Sequence, residues 1–398
     1  MNSKLPENFC LSPFINLTIE PSGHIRLCCA TKHSLGKIQE IKSIKDVWYN
    51  GDEIQKIRTS FKRGDIPECC SISCFAKEKK GLRSRRMKIE SWFPGITQIP
   101  ETLEIYDMDI SLSNSCNLQC VMCSSEYSSS WFKDDERLLR ISPYREQHVK
   151  RKYLIPSYMT MSQMDEVISM AKTAQKITFK GGEPTYDKRL LYFLDECLKN
   201  NICCPVELIT NLSIISEAVL QRLDHFNKVT ISASIDAIGE LQKWMRGVGV
   251  LSTDDAEVVI GDLLNRGFTV CLNVTVTPYN LWNIRDYILW TRKNEKVHVN
   301  FSQISTYPRY CSPGLIPLEM RRKVAEDLED MDLTNISHVQ RIISYLKMEN
   351  PDNWQTSSIA KFTEYFLAFT EEMNRIRGVK IQDIVPEIQI VIDQLKNG

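Results

Sequence analysis

The chain has 398 residues, with 50 Lys and Arg against 50 Asp and Glu, so its formal net charge is zero. A neutral chain has no overall field to gather nucleic acid, and only a local basic patch would serve that role. No run reaches the ~18 apolar residues of a membrane helix, and the first residues lack the apolar segment of a secretory signal, so we expect a cytoplasmic protein.

Cysteine is unusually frequent, with 14 residues in the chain. In a reducing compartment this number indicates metal ligands and buried thiols rather than disulfides. The hydrophobic share of 42% and the charged share of 25% are those of a globular protein. The length is sufficient for one large α/β domain and a smaller one.

The first predicted element is a cysteine-bearing hairpin. Residues 14–20 alternate like a strand, residues 21–23 form a turn, and residues 25–27 return as the partner strand. This hairpin brings Cys10 close to Cys28.

Further cysteines follow a predicted amphipathic helix within residues 38–61. Cys69, Cys70 and Cys74 come on a loop after Pro67. Four thiols from two loops predict a closed metal site. Because the same thiolates also suit zinc, a zinc ribbon is an alternative for this segment.

Residues 83–100 read as a linker, basic at first and then interrupted by Pro and Gly. Beyond it, strands alternate with helices up to about residue 308, which predicts a parallel sheet with helical crossovers. Six strands are predicted, at residues 103–112, 176–179, 206–210, 229–235, 269–275 and 297–304.

A compact thiol motif follows the first of these strands. Cys116, Cys120 and Cys123 have the spacing C-x3-C-x2-C. Three converging thiolates select a soft metal centre, and a structural zinc site would need a fourth ligand, whereas the next Cys or His is His148. An iron–sulfur cluster with one open iron is the occupant that three cysteines suit.

The second strand ends in a glycine-rich turn, Gly181-Gly182-Glu183-Pro184. Paired glycines let a backbone approach a ligand closely, and Glu183 offers an acceptor for an ammonium group. Polar residues also follow the third and fourth strands, namely Asn211, Ser234, Asp236 and Arg246. Arg246 suits a carboxylate because its guanidinium is a planar donor, and helix capping is the alternative role for Asp236.

The three-cysteine loop after a strand, with Gly181–Pro184 after the next, resembles the radical S-adenosylmethionine (SAM) enzymes. The resemblance implies a partial (β/α)6 TIM-type barrel in which Cys116, Cys120 and Cys123 hold a 4Fe-4S cluster. SAM binds the open iron and is cleaved by one electron to a 5′-deoxyadenosyl radical. Gly181, Gly182 and Glu183 are then expected to hold the SAM amino group, with Asn211, Ser234 and Arg246 as further SAM contacts.

The N-terminal segment resembles the twitch or SPASM module that ligates a second, auxiliary 4Fe-4S cluster. The element Gly23-x4-Cys28 matches that module, which implies Cys10, Cys28, Cys70 and Cys74 as ligands. Cys69 remains an alternative to Cys70, since neither spacing is the usual one. The module precedes the barrel here, whereas it usually follows it.

These expectations define an α/β protein with an auxiliary-cluster module at 1–82, a linker at 83–100, a barrel at 101–316 and a C-terminal helical region at 317–398. The predicted reaction is hydrogen abstraction from a small-molecule or peptide substrate, ending in a net oxidation. The expected electron donor resembles flavodoxin or ferredoxin. The alternatives are a maturase of ribosomally made peptides, although no separate leader-binding domain is recognisable, and a non-catalytic iron–sulfur or zinc protein. Cys311, after the last strand, is a candidate hydrogen donor.

Overall fold

The computed structural model describes residues 5–141, 145, 149, 156–334 and 336–397. The chain divides into two compact units. The first comprises residues 1–115, 156–208 and 216–229, and the second comprises 116–155, 209–215 and 230–398. Within the described residues no helix is both long and apolar enough to span a membrane.

The first unit is built on a mostly parallel sheet. Its strands are β1 (Asn16–Ile19), β2 (His24–Arg26), β3 (Gly36–Lys37), β4 (Asp107–Ile110), β5 (Lys176–Phe179) and β6 (Val206–Thr210). The spatial order is β6-β5-β4-β1-β2-β3. The hairpin strand β1 pairs in parallel with β4, with Asn16 opposite Asp107, so the cysteine-rich segment shares a sheet with the predicted barrel strands.

The two faces of this sheet differ in chemistry. One face is apolar and buried, and it includes Leu17, Met108 and Ile177. The opposite face is buried as well but polar, because Asp107 and Asp109 alternate with apolar residues along β4. Strands of a parallel sheet covered on both faces are usually apolar. The buried carboxylates of β4 are tolerated because Arg85 pairs with Asp107 and Lys180 pairs with Asp109.

The second unit carries four parallel strands. They are β7 (Val229–Ser234), β8 (Thr269–Val276), β9 (His298–Ile304) and β10 (Ile336–Ser337), in that order across the sheet. The pair β8–β9 has a register shift between Asn273 and Thr275. The predicted strands at 176–179 and 206–210 are found with the same bounds, and the other predicted strands differ mainly at their ends.

Helices connect the strands and form the C-terminal region. Those of the first unit are Ser12–Ile15, Ile44–Asn50, Asp52–Arg63, Glu68–Cys70, Ala76–Glu78, Arg85–Trp92, Met161–Met170, Arg189–Lys199 and Glu217–Leu223. Those of the second are Phe132–Ile141, Gly239–Arg246, Thr253–Asn265, Ile284–Thr291, Leu318–Glu329, Val339–Lys347, Thr356–Arg377, Ile381–Ile384 and Glu387–Asn397. The predicted α/β class with a largely parallel sheet and C-terminal helices is confirmed.

Candidate functional site

The three cysteines of the C-x3-C-x2-C loop lie together in the second unit. Cys116 is buried, and Cys120 and Cys123 are partly buried. Burial raises the pKa of the Cys123 thiol well above its usual value, and the nearby thiols of Cys120 and Cys116 raise it further. The three sulfurs are therefore close enough to influence one another electrostatically.

Backbone and indole contacts fix this loop. Gln119 N donates to the carbonyl of Arg246 at 3.1 Å, and Val121 N donates to the carbonyl of Met245 at 2.8 Å. Trp131, which is fully buried, donates its indole N–H to Cys120 O at 3.1 Å. Trp131 thus supports the cysteine loop from inside.

Arg145 is a buried residue of this site that the sequence did not reveal. Its Nη2 donates to Cys123 O at 3.1 Å, its Nε pairs with Asp135 Oδ1 at 2.6 Å, and its Nη1 donates to Tyr310 OH at 2.8 Å. The guanidinium also lies over the Trp131 ring, 4.4 Å from the centroid. It occurs in a charged stretch of the sequence, much of which lies outside the described residues, and no sequence signal distinguished it.

Arg246 has partners within the unit. Its Nη2 pairs with Asp236 Oδ2 at 2.7 Å, and its Nη1 donates to Cys120 Sγ at 3.8 Å. Asp236 Oδ1 accepts from Thr275 N at 2.8 Å. Asp236 does not cap the helix Gly239–Arg246, whose N-cap residue is Ile238. Arg246 is therefore an electrostatic neighbour of the cysteine loop, and its contact with a SAM carboxylate remains a prediction.

Asn211 also contacts the cysteine loop. Its Nδ2 donates to Asn117 Oδ1 at 3.0 Å, and its Oδ1 accepts from Ser213 N at 2.9 Å. The amide thus connects the turn after β6 to the residue that follows Cys116. Ser234 ends β7 opposite Asn273 on β8, and its role stays a prediction.

The glycine-rich turn lies in the first unit. Both of its glycine positions lack room for a side chain. Gly181 and Gly182 have φ values of +76° and +54°, and a Cβ on Gly182 would lie 2.4 Å from Ser115 O. Glu183 N donates to the same Ser115 carbonyl at 2.8 Å. The turn therefore packs against Ser115, the residue that directly precedes Cys116 in the chain. Glu183 itself is buried and accepts from Thr185 Oγ1 at 2.7 Å.

The predicted auxiliary cysteines also lie together, in the first unit. Cys10, Cys28, Cys70 and Cys74 are all buried. Burial is the main cause that raises the pKa of Cys10 to about 11, and it raises the pKa of Cys28 as well, with smaller contributions from Cys10 and Cys74. The hairpin and the later cysteines therefore lie near one another, and their role as cluster ligands remains a prediction.

The segment that carries Cys70 and Cys74 is helical and is not the loop predicted from Pro67. A short helix, Glu68–Cys70, continues into a π-helical turn over Ser71–Phe75. Residues separated by four positions lie on one side of a helix, which explains a gap wider than the usual one. π-helical turns are frequent at functional sites.

Cys69 and Cys70 have different surroundings. Cys70 is buried, whereas Cys69 is half-buried, with the two sulfurs 3.9 Å apart. The pKa of Cys70 is raised by its hydrogen bond with Cys69 and by burial, with contributions from Cys10 and Cys28. Cys69 instead lines an open cleft with His33. This placement supports Cys70 as the inward thiol.

The residues of the three-cysteine loop suit iron–sulfur ligation, because two of its thiols have N–H donors beside them. Cys116 Sγ accepts from Leu118 N at 3.4 Å, and Arg246 directs an N–H at Cys120 Sγ. Hydrogen bonds to the sulfurs are one means by which a protein sets the potential of such a cluster. Among the described residues no three His, Cys, Asp or Glu side chains converge tightly enough to hold a single metal ion. Cys311, the candidate hydrogen donor, is fully buried, and its Sγ lies 3.8 Å from Val121 O.

Comparisons with known proteins agree with this reading. The profile of the Radical SAM superfamily matches residues 110–290, and that of SPASM, an iron–sulfur cluster-binding domain, matches residues 10–75. No curated protein sequence matches the chain.

Among solved structures, native anSMEcpe with bound AdoMet is 16% identical over 68% of this chain and 61% of that one, with a TM-score of 0.38. Streptococcus suis SuiB bound to the precursor peptide SuiA is 16% identical over 83% and 70%, with a TM-score of 0.35. The chain thus spans about three fifths of the length of anSMEcpe.

The cofactors of this protein are a 4Fe-4S cluster with SAM and an auxiliary iron–sulfur cluster. The chain belongs to the radical SAM superfamily and carries its SPASM domain at the N-terminal side of the radical SAM domain.

Proposed function

We propose that Cys116, Cys120 and Cys123 hold the catalytic cluster. When bound, that cluster and SAM supply a 5′-deoxyadenosyl radical, which takes a hydrogen atom from the substrate. The three thiols lie in one loop that is hydrogen-bonded to the rest of its unit, and the Arg246 guanidinium lies beside Cys120. We further propose that Gly181, Gly182 and Glu183 receive the SAM amino group, and that Asn211, Ser234 and Arg246 are its other contacts.

We also propose Cys10, Cys28, Cys70 and Cys74 as the ligands of the auxiliary cluster. The observation that carries the proposal is the number of thiols at each site. Four buried thiols lie close together here, whereas the catalytic loop has three. A cluster with four protein thiolates has no open iron, so its chemistry is to accept an electron. The net reaction is then an oxidation of a small-molecule or peptide substrate, with a flavodoxin- or ferredoxin-like donor. The domain bounds proposed above, 1–82, 83–100, 101–316 and 317–398, complete this assignment.

Anaerobic reconstitution tests the assignment of the cysteines. Wild-type protein is expected to bind about eight iron atoms with matching sulfide, four per cluster. The Cys116→Ala/Cys120→Ala/Cys123→Ala variant is expected to retain about four and to form no 5′-deoxyadenosine from SAM and dithionite. Wild-type protein that binds zinc in place of iron, or that forms no more 5′-deoxyadenosine than this variant, would overturn the proposal.

A further inference from the structure

The C-terminal helical region reaches the cysteine loop through one arginine. Arg377 is the last residue of the helix Thr356–Arg377. Its Nε donates to Trp244 O at 2.7 Å, its Nη1 donates to Gln119 Oε1 at 3.0 Å, and its Nη2 donates to Gln119 O. One guanidinium thus holds both the main chain and the side chain of the residue that precedes Cys120.

The charge of Arg377 also lies close to Cys120, because its guanidinium binds the carbonyl oxygen of Gln119, the residue directly before Cys120. Burial lowers the pKa of Arg377 to about 10. Arg377 therefore remains a cation at neutral pH.

The two arginines near Cys120 are not equivalent. The charge of Arg246 is balanced by the buried carboxylate of Asp236, 2.7 Å away. Within the part of the chain that the structure describes, Arg377 forms no ion pair with a carboxylate. Asp134 instead accepts from Gln119 Nε2 at 2.7 Å. Among the described residues, Arg377 thus differs from Arg246 in having no direct ion pair with a carboxylate.

We propose that Arg377 is a positioning residue of the catalytic cluster and that its charge raises the reduction potential of that cluster. The inference rests on the proposed ligation by Cys120. A nearby positive charge favours the more negative, reduced form of a cluster, and net charge and hydrogen bonding are the protein's main means of setting its potential. Arg377, at the C-terminal end of the helix Thr356–Arg377, would then help to set the potential of the catalytic cluster.

The test is the midpoint potential of the SAM-responsive cluster, followed by electron paramagnetic resonance in the reconstituted full chain. Arg377→Gln removes the charge and is expected to shift the potential to more negative values. At a fixed applied potential, the ratio of reduced to oxidised cluster should fall about threefold to tenfold. A tenfold change corresponds to 59 mV for one electron. Arg377→Lys keeps the charge and is expected to retain most of the potential.

The matched control is Arg375→Gln, because Arg375 lies near the same helix end, is 58% exposed and pairs with Glu372. This variant is expected to leave the potential unchanged. Gln119→Glu places a carboxylate against the Arg377 guanidinium and is expected to lower the potential with Arg377 still present, so the test does not depend on the folding of Arg377→Gln.

Two results would overturn the inference. One is an Arg377→Gln protein with full iron content and the potential of the Arg375→Gln control. The other is a Gln119→Glu protein with the wild-type potential. Failure of the proposed function itself is distinguishable, because the wild-type protein would then lack the cluster signal or form no 5′-deoxyadenosine.

Discussion

The buried pair of Asp236 and Arg246 gives the sharpest test of how the catalytic loop is supported. The Asp236 side chain has no exposed surface and that of Arg246 is 9% exposed, with 2.7 Å between Oδ2 and Nη2. Asp236→Asn preserves the shape and the acceptor for Thr275 N, but it leaves the guanidinium charge buried without its carboxylate. Breaking a buried pair from one side costs about 3–5 kcal/mol, so we expect the free energy of unfolding to fall by about that amount.

The assay is urea unfolding of the apoprotein, followed by tryptophan fluorescence, with iron content after reconstitution as a second measurement. Glu240→Gln is the matched control, because Glu240 pairs with Lys243 on the same helix and is 70% exposed. An exposed pair contributes about 0–1 kcal/mol. Equal losses in the two variants would refute the reasoning, since the Asp236 carboxylate would then not be compensating a buried charge.

Three further predictions concern single residues. Cys70→Ala is expected to lose the auxiliary cluster, about four iron atoms, whereas Cys69→Ala is expected to keep it; the opposite iron counts would exchange the two assignments. Gly182→Ala is expected to unfold more easily than the control Gly267→Ala, because both glycines have positive φ but only the first has a backbone oxygen 2.4 Å from the added Cβ; urea midpoints that coincide would contradict this. Cys311→Ala is expected to lose about 1 kcal/mol of stability through a small cavity, with 5′-deoxyadenosine formation and substrate turnover unchanged, and a loss of turnover at full iron content would instead support its role as a hydrogen donor.

The sequence predicted those features whose signal is local. The strands at 176–179 and 206–210 are short apolar or β-branched runs bounded by turns, and the structure gives them the same bounds. The thiol spacing of Cys116, Cys120 and Cys123 depends on eight consecutive residues, and it placed the chain in its family. The polar residues near the strand ends, such as Asn211 and Arg246, were also identified from the sequence. In the structure their side chains bind other side chains of the protein, Asn117 and Asp236 respectively.

Long-range partners were not predictable. The parallel pairing of β1 with β4 joins Asn16 to Asp107 across 91 positions, and no local pattern specifies it. Arg377 and Gln119 are 258 positions apart. The helical conformation around Cys70 was missed because Pro67 and a cysteine pair are typical of a loop, while tertiary packing decides so short a segment.

The cysteine loop shows why these distant residues matter. It lacks a regular hydrogen-bond ladder, so its carbonyls need other donors. Side chains supply them: Ser130 to Cys116 O, Ser128 to Leu118 O, Arg377 to Gln119 O, Trp131 to Cys120 O and Arg145 to Cys123 O. A buried carbonyl left without any donor costs about 1–3 kcal/mol, so these donors together stabilise the loop. The cysteine loop is therefore held by hydrogen bonds from the protein's own side chains, which include Arg377 from a distant part of the sequence.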